Sequence, residues 1–123
     1  MLKGEKECFD KLKSINQNDK IAWFHCASLG EFEQGRPLLE EVKKHFPQHK
    51  ILLSFYSPSG YEAKKDYSLA DYIVYLPNDT RKNAKKFVSI VNPDLIFFIK
   101  YEFWYNYILE LKGRRLFQVS LIL

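Results

Sequence analysis

The chain has 123 residues, of which 46% are hydrophobic and 28% charged, and its formal net charge at pH 7 is +4. This length fits one domain with a core of its own, and the composition excludes disordered and fibrous proteins. The longest strongly apolar run, over residues 95–99, is much shorter than the roughly 18 residues that a membrane-spanning helix needs.

Apolar residues recur along the chain in patterns that alternate between helix and strand. In chain order, these patterns predict a helix over 5–15, a strand over 21–26, a helix along the stripe Leu38, Leu39, Val42 and Phe46, strands over 51–56 and 72–75, a helix along Ala84, Phe87, Val88 and Val91, a strand over 95–99, a helix along Trp104, Ile108 and Leu111, and a strand over 116–121. Strict alternation implies a parallel sheet with helices on both faces, and right-handed crossovers leave few possible strand orders. We therefore predict an α/β fold, in which residues 1–123 form one Rossmann-like domain with a doubly wound parallel sheet of about five strands in the order 3-2-1-4-5.

The cysteines and histidines do not form a catalytic or metal-binding pattern. Cys8 and Cys26 have no metal-ligand spacing around them, so we predict two reduced, buried thiols. His25 is next to Cys26 in a strand, and neighbouring strand residues point to opposite faces, which disfavours a shared proton. We predict that His25 is partly buried and hydrogen-bonded, and that His45 and His49 are exposed beside a turn.

The loops after the first and fourth strands are the first candidates for a functional site, because in this strand order they flank the crevice where the direction of winding reverses. The first of them contains Ser28, Gly30 and Glu31. Backbone amides of Ser28 and Gly30 at a helix N-terminus can receive a phosphate or a carboxylate, and Glu31 is a candidate general base. The alternative is that Glu31 only complements the helix dipole.

Two further loops at the same edge carry candidate residues. The sequence SPSG over residues 57–60 suits the close approach of an anion or a sugar, although the same residue types also build ordinary helix caps. The loop over 100–106 contains Glu102, which on this topology faces Glu31 across the crevice. Trp104 in that loop has helical spacing to later apolar residues, which favours a place in the core over a sugar platform.

The positive charge is concentrated in adjacent pairs of basic residues, namely Lys43-Lys44, Lys64-Lys65, Arg81-Lys82 and Lys85-Lys86. Most of them lie opposite apolar helix stripes, where they predict a solvated surface. The positive field of such a surface attracts anionic partners, including nucleic acid or a phosphorylated membrane surface. The sequence has no glycine-rich phosphate loop followed by lysine, no zinc ligand set and no aromatic RNA-binding signature. We therefore expect no metal, no cofactor and no nucleic-acid partner.

Three motifs, in this order and spacing, resemble the N-terminal domain of the 3-deoxy-D-manno-octulosonic acid (Kdo) transferases of lipopolysaccharide assembly. They are HCASLGE over residues 25–31, SPSG over 57–60 and EFWYN over 102–106. The loop of the third motif departs from the family pattern at two positions, since Lys100, two residues before EFWYN, and Tyr105, within it, stand where the family often has glutamate and proline. The resemblance covers nearly the whole chain from about Asn18 onward.

The resemblance implies an inverting, two-domain glycosyltransferase of the GT-B type. Its N-terminal half binds the acceptor, a lipid A precursor glycolipid, and its C-terminal half binds the donor CMP-Kdo. In this scheme Glu31 is the general base that deprotonates an acceptor hydroxyl. The positions that match the acceptor-binding loops are Ser28, Gly30, Ser57, Ser59, Gly60 and Glu102.

The resemblance also implies work at the cytoplasmic face of the bacterial inner membrane. Because the chain ends on an apolar stretch over 119–123, we expect it to be part of a longer protein. The resemblance implies that the longer enzyme has a CMP-sugar-binding domain and a membrane anchor, which we expect to lie outside these residues. Such a part should be inactive alone, and its interdomain face would be available for pairing of two copies. The alternative is a non-catalytic α/β module that binds a small anion or a protein partner.

Overall fold

The computed structural model describes residues 3–99 and 104–119. Its elements are α1 (Lys3–Leu12), β1 (Ile21–Cys26), α2 (Leu29–His45), β2 (Lys50–Phe55), α3 (Pro58–Lys64), β3 (Tyr72–Tyr75), α4 (Arg81–Val91), β4 (Leu95–Ile99), α5 (Tyr105–Glu110) and β5 (Arg115–Val119). The predicted end of β5 at residue 121 lies outside the described residues. The predicted alternation of helices and strands is confirmed.

The strands form one parallel, five-stranded sheet in the order β3-β2-β1-β4-β5, as predicted from the sequence. β1 lies at the centre, where Trp23 pairs with Leu52 of β2 on one side and Ile96 of β4 on the other. Every residue of β1 and of β4 is buried. A strand that is covered on both faces reads as a continuous apolar run, which explains why these two segments were recognisable from the sequence.

Two cores sit on opposite faces of the sheet, because successive side chains of a strand point to opposite sides. Trp23 is the centre of the core under α1, α4 and α5, with ring centroids 4.8 Å from Phe87 and 6.0 Å from Tyr107. Phe24 belongs to the second core, under α2 and α3, where its ring stacks on Phe97 with a centroid distance of 4.6 Å. Both layers of helices are therefore fixed by large rings from the central strands.

Local signals set the helix ends. Thr80 is the N-cap of α4, and its side chain accepts a hydrogen bond from the backbone N–H of Asn83 with an N···O distance of 3.1 Å. Asn92 ends α4 in the left-handed conformation, with φ of 46°. The stripe predicted for α2 is one residue too long, because Phe46 is already the C-cap and is 44% exposed. α3 is an additional helix in a segment for which no helix was predicted.

The cysteines and two of the histidines follow the predictions in part. Cys8 and Cys26 are free and buried, as expected. His45 is exposed, whereas the prediction for His49 is wrong, because its side chain is buried at the amino edge of the sheet. There its Nε2 lies 2.7 Å from Oδ2 of Asp94, at the start of β4. A hydrogen-bond partner across the sheet therefore draws this imidazole out of the solvent.

None of the helices in the described ranges combines the length and the apolar character that a membrane crossing requires.

Candidate functional site

Glu31 lies in the first turn of α2, directly after the carboxyl end of β1. Ser28 is the N-cap, and its Oγ accepts the N–H of Glu31 with an N···O distance of 3.4 Å. In return, Oε1 of Glu31 accepts the N–H of Ala27 at 2.6 Å. This reciprocal pair is a variant of the capping box, in which the carboxylate reaches one residue further back than usual. The carboxylate is therefore held at the edge of the sheet by its own loop.

The second loop is joined to the first by a backbone hydrogen bond. The N–H of Ser57 donates to the carbonyl oxygen of Ala27 with an N···O distance of 2.8 Å. Ser57 Oγ accepts the N–H of Gly60 at 3.2 Å, so this serine is the N-cap of α3. The helix-cap interpretation of the loop thus holds for Ser57. Ser59, in contrast, is exposed beside it, with an Oγ–Oγ distance to Ser57 of 3.3 Å.

Gly60 and Gly30, the glycines of these two loops, differ in the space that a side chain would find. A Cβ on Gly60 would lie 2.6 Å from a ring carbon of Phe55 and 3.2 Å from the backbone nitrogen of Leu29. The first turns of α2 and α3 therefore approach so closely that a side chain is excluded at this position. A Cβ on Gly30 would meet only Ser28 Oγ, at 3.9 Å, so Gly30 leaves an exposed and open stretch of backbone.

The third loop is described only from Trp104 onward. Glu102 lies outside the described residues, so its expected position opposite Glu31 stays a prediction. Trp104 is 7% exposed and belongs to the core, as predicted. Its ring lies across the end of β1, 4.9 Å from the imidazole of His25 and 5.3 Å from the ring of Tyr56.

A buried polar network under the loops was not predicted from the sequence. Ser54 Oγ lies 2.8 Å from the indole nitrogen of Trp23, which donates to it, and 2.8 Å from Nδ1 of His25. Burial lowers the pKa of His25 to about 3, so the imidazole is neutral at pH 7 and more deeply buried than expected. The available signal was Ser54 itself, because it is a polar residue in an otherwise apolar strand.

Nucleophilic thiol chemistry does not fit this site. Burial, assisted by the negative charge of Glu31, raises the pKa of the Cys26 thiol, which therefore stays protonated. Within residues 3–99 and 104–119, no group of three or more histidine, cysteine, aspartate or glutamate side chains is arranged to hold a metal ion. The described part of the site thus offers one carboxylate, an exposed hydroxyl and open backbone amides.

Residues 4–122 match a family model described as 3-deoxy-D-manno-octulosonic-acid transferase (kdotransferase). The chain belongs to the Kdo transferase family. It is 35% identical over 108 residues to the 3-deoxy-D-manno-octulosonic acid transferase of Aquifex aeolicus, an alignment that covers 87% of this chain and 30% of that relative. It is 30% identical over 104 residues to the transferase of the same name from Chlamydia trachomatis serovar D, which covers 81% of this chain and 24% of that relative.

The chain spans 30% or less of the length of these Kdo transferases. Its five-stranded parallel sheet with helices on both faces agrees with the N-terminal half of a GT-B enzyme, which was the predicted fold. In this member of the Kdo transferase family, the structure brings the first and second candidate loops together at the carboxyl edge. That edge is where open α/β sheets bind their ligands.

Proposed function

We propose that the chain is the acceptor-binding part of a glycosyltransferase that transfers Kdo from CMP-Kdo to a lipid A precursor, with Glu31 as the general base. The observation that carries the proposal is that Glu31 lies in the first turn of α2, directly after the carboxyl end of β1, in a member of the Kdo transferase family. Its carboxylate is fixed at the carboxyl edge of the sheet by the N–H of Ala27, at 2.6 Å.

In the proposed reaction, the Glu31 carboxylate takes the proton of an acceptor hydroxyl while the hydroxyl oxygen attacks the anomeric carbon of Kdo. The bond from that carbon to CMP breaks, CMP leaves with the electron pair, and the configuration at the carbon inverts. A positioned base accelerates such a step by roughly 10²–10⁴-fold. The hydrogen bond from the Ala27 N–H contributes to this acceleration, because a carboxylate that is already oriented loses little freedom when the acceptor binds.

The loop residues have different proposed roles toward the acceptor. Ser57 and Gly60 act through the shape of the second loop, since one caps α3 and the other permits its contact with α2. Ser59 and Gly30 are exposed at the edge and are proposed to contact the acceptor directly. For Ser28 we propose that its cap keeps Glu31 in place. Glu102 is proposed as a further acceptor contact.

The basic surface supports a proposed location at the cytoplasmic face of the inner membrane. Four of the five exposed residues of α4 are basic, namely Arg81, Lys82, Lys85 and Lys86, the fifth is Ser89, and the helix contains no acidic residue. Each such charge near an anionic lipid surface contributes about 1 kcal/mol to membrane attraction. We propose that the acceptor reaches the site from this surface, that CMP-Kdo is held by a part of the enzyme beyond this chain, and that no cofactor takes part. Pairing of two copies of this chain is also proposed.

The test is Kdo transfer from CMP-Kdo to a lipid A precursor by the complete enzyme that contains this chain. Glu31→Gln keeps a similar shape but removes the base, so we expect turnover to fall by at least about 10²-fold with acceptor binding retained. Glu33→Gln is the matched control, because Glu33 is an exposed carboxylate on the same helix that pairs with Arg36 and Lys64. Near-normal turnover of Glu31→Gln would remove Glu31 from this role. A wild type without Kdo transfer would favour the non-catalytic binding module.

A further inference from the structure

A second concave surface lies beside the candidate site at the same edge of the sheet. It is a cleft of about 540 Å³ between α1, α3 and the ends of β2 and β3. Residues that line it include Glu7, Tyr56, Pro58, Glu62, Tyr75 and Asn78. Tyr56 and Pro58 flank Ser57, so the cleft opens next to the loop that is bonded to the loop of Glu31. This volume is large enough for a small ligand or one unit of a larger one.

Tyr56 is the most exposed ring of the cleft, at 52%. Its orientation is set by Trp104, whose ring meets it at 5.3 Å with an interplanar angle of 67°. Trp104 is itself buried against His25. An exposed aromatic ring that is held by a buried one is already oriented for stacking, so little freedom is lost when a ligand binds.

The wall of the cleft is also formed in advance. Tyr61 and Tyr75 stack with a centroid distance of 4.2 Å and an interplanar angle of 24°. Oε2 of Glu5 accepts the backbone N–H of Asn78 at 3.0 Å and the side-chain amide of Asn83 at 3.2 Å. These bonds tie α1 to the loop after β3, so the cleft keeps its shape without a ligand.

The charges of the cleft narrow the chemistry of its ligand. Glu7 and Glu62 supply carboxylate oxygens, which repel phosphate and acidic sugars but accept hydrogen bonds from hydroxyl groups. A cationic ligand is disfavoured at Glu62, because Lys65 already pairs with this carboxylate at 3.0 Å. A second cation lies behind the wall of the cleft, where Lys11 Nζ donates to the hydroxyl of Tyr61 and to Ile73 O. Hydroxyl groups and an apolar ring face match what remains.

We propose that this cleft is a subsite for a sugar ring that presents hydroxyl groups and carries no negative charge into the cleft. Tyr56 stacks on the ring, and Glu7 and Glu62 accept hydrogen bonds from its hydroxyls. The inference rests on the proposed function in one respect, since it assigns the cleft to a sugar unit of the acceptor next to the one that reacts. The Ser57–Ala27 and Ala27–Glu31 hydrogen bonds, of 2.8 Å and 2.6 Å, connect the subsite to the base.

Direct binding to the 123-residue chain is measured by saturation-transfer NMR with N-acetylglucosamine as the probe. We expect transfer to the sugar in the wild type, a loss of affinity of about five-fold in Tyr56→Ala, and wild-type affinity in Tyr56→Phe, which keeps the ring. Phe46→Ala is the matched control, because Phe46 is a similarly exposed ring at the opposite end of α2. The subsite is refuted by no binding in the wild type, or by equal binding in all variants. The subsite is also refuted if inorganic phosphate or ethanolamine competes with the sugar and removes the saturation transfer that depends on Tyr56.

Kinetics of the complete enzyme separate this inference from the proposed function. Tyr56→Ala should raise KM for the lipid A precursor about five-fold at unchanged kcat, whereas Glu31→Gln lowers kcat. An active wild type whose KM is unaffected by Tyr56→Ala would overturn the subsite and leave the proposed function standing. A wild type that binds the sugar at Tyr56 but transfers no Kdo would overturn the proposed function and leave the subsite standing.

Discussion

Replacement of Gly60 by alanine tests whether the two loops of the site are as closely packed as the structure indicates. The added Cβ would lie 2.6 Å and 3.1 Å from ring carbons of Phe55, and 3.2 Å from the backbone nitrogen of Leu29. Phe55 has no exposed surface, so its ring has no free space into which to move. Overpacking of this kind destabilises by about 1–3 kcal/mol, and alanine in a helix recovers up to about 1 kcal/mol. We therefore expect a net loss of about 1–2 kcal/mol in the free energy of unfolding.

Urea unfolding, followed by the fluorescence of the two buried tryptophans, Trp23 and Trp104, measures this loss. Gly30→Ala is the matched control, because the same atom added there meets only Ser28 Oγ at 3.9 Å. That variant should be unchanged or more stable by up to about 1 kcal/mol. If Gly60→Ala is as stable as Gly30→Ala, the first turns of α2 and α3 are not in the described contact.

Two further predictions concern buried titratable groups. Burial lowers the pKa of His25 to about 3, so protons bind mainly to the unfolded chain, and stability should fall as the pH drops below the ordinary value of about 6.5. The expected loss between pH 7 and pH 4 is roughly 3 kcal/mol. Urea unfolding should show a smaller pH dependence in His25→Gln than in the wild type, and an equal pH dependence in the two proteins would contradict the argument. Burial raises the pKa of the Cys8 thiol to about 12, and it also raises the pKa of the Cys26 thiol. A thiol reagent at pH 8 should therefore label neither cysteine in the native chain and both in denaturant, and rapid labelling of the native chain would refute this.

The fold could be predicted because its signals are local and strong. The central strands are uniformly apolar, and the buried stripe of α4 follows the helical period without interruption. α3 was missed because its seven residues begin with Pro-Ser-Gly directly after the cap Ser57, and this sequence suits a turn as well as a helix start. His49 was misjudged because its partner, Asp94, is distant in sequence and meets it only after the sheet has formed.

The candidate site could be predicted only as far as single loops. Strand order predicted the edge on which Glu31 lies, but not the hydrogen bond that joins its loop to Ser57. The His25–Ser54 contact likewise depends on the register of β1 against β2, in which these two residues are partners. Tyr56 carries no pattern of its own, since its importance comes from exposure and from the contact with Trp104.

Ala27 hydrogen-bonds through both of its backbone polar groups. Its N–H donates to Glu31, and its carbonyl oxygen accepts the N–H of Ser57. The N–H and the C=O of one residue belong to two adjacent rigid peptide planes, which share its Cα. The carboxylate of Glu31 and the second loop are therefore separated by the φ and ψ angles of one residue. A ligand that displaces the second loop would thus reach the carboxylate by the shortest covalent route that the two loops offer.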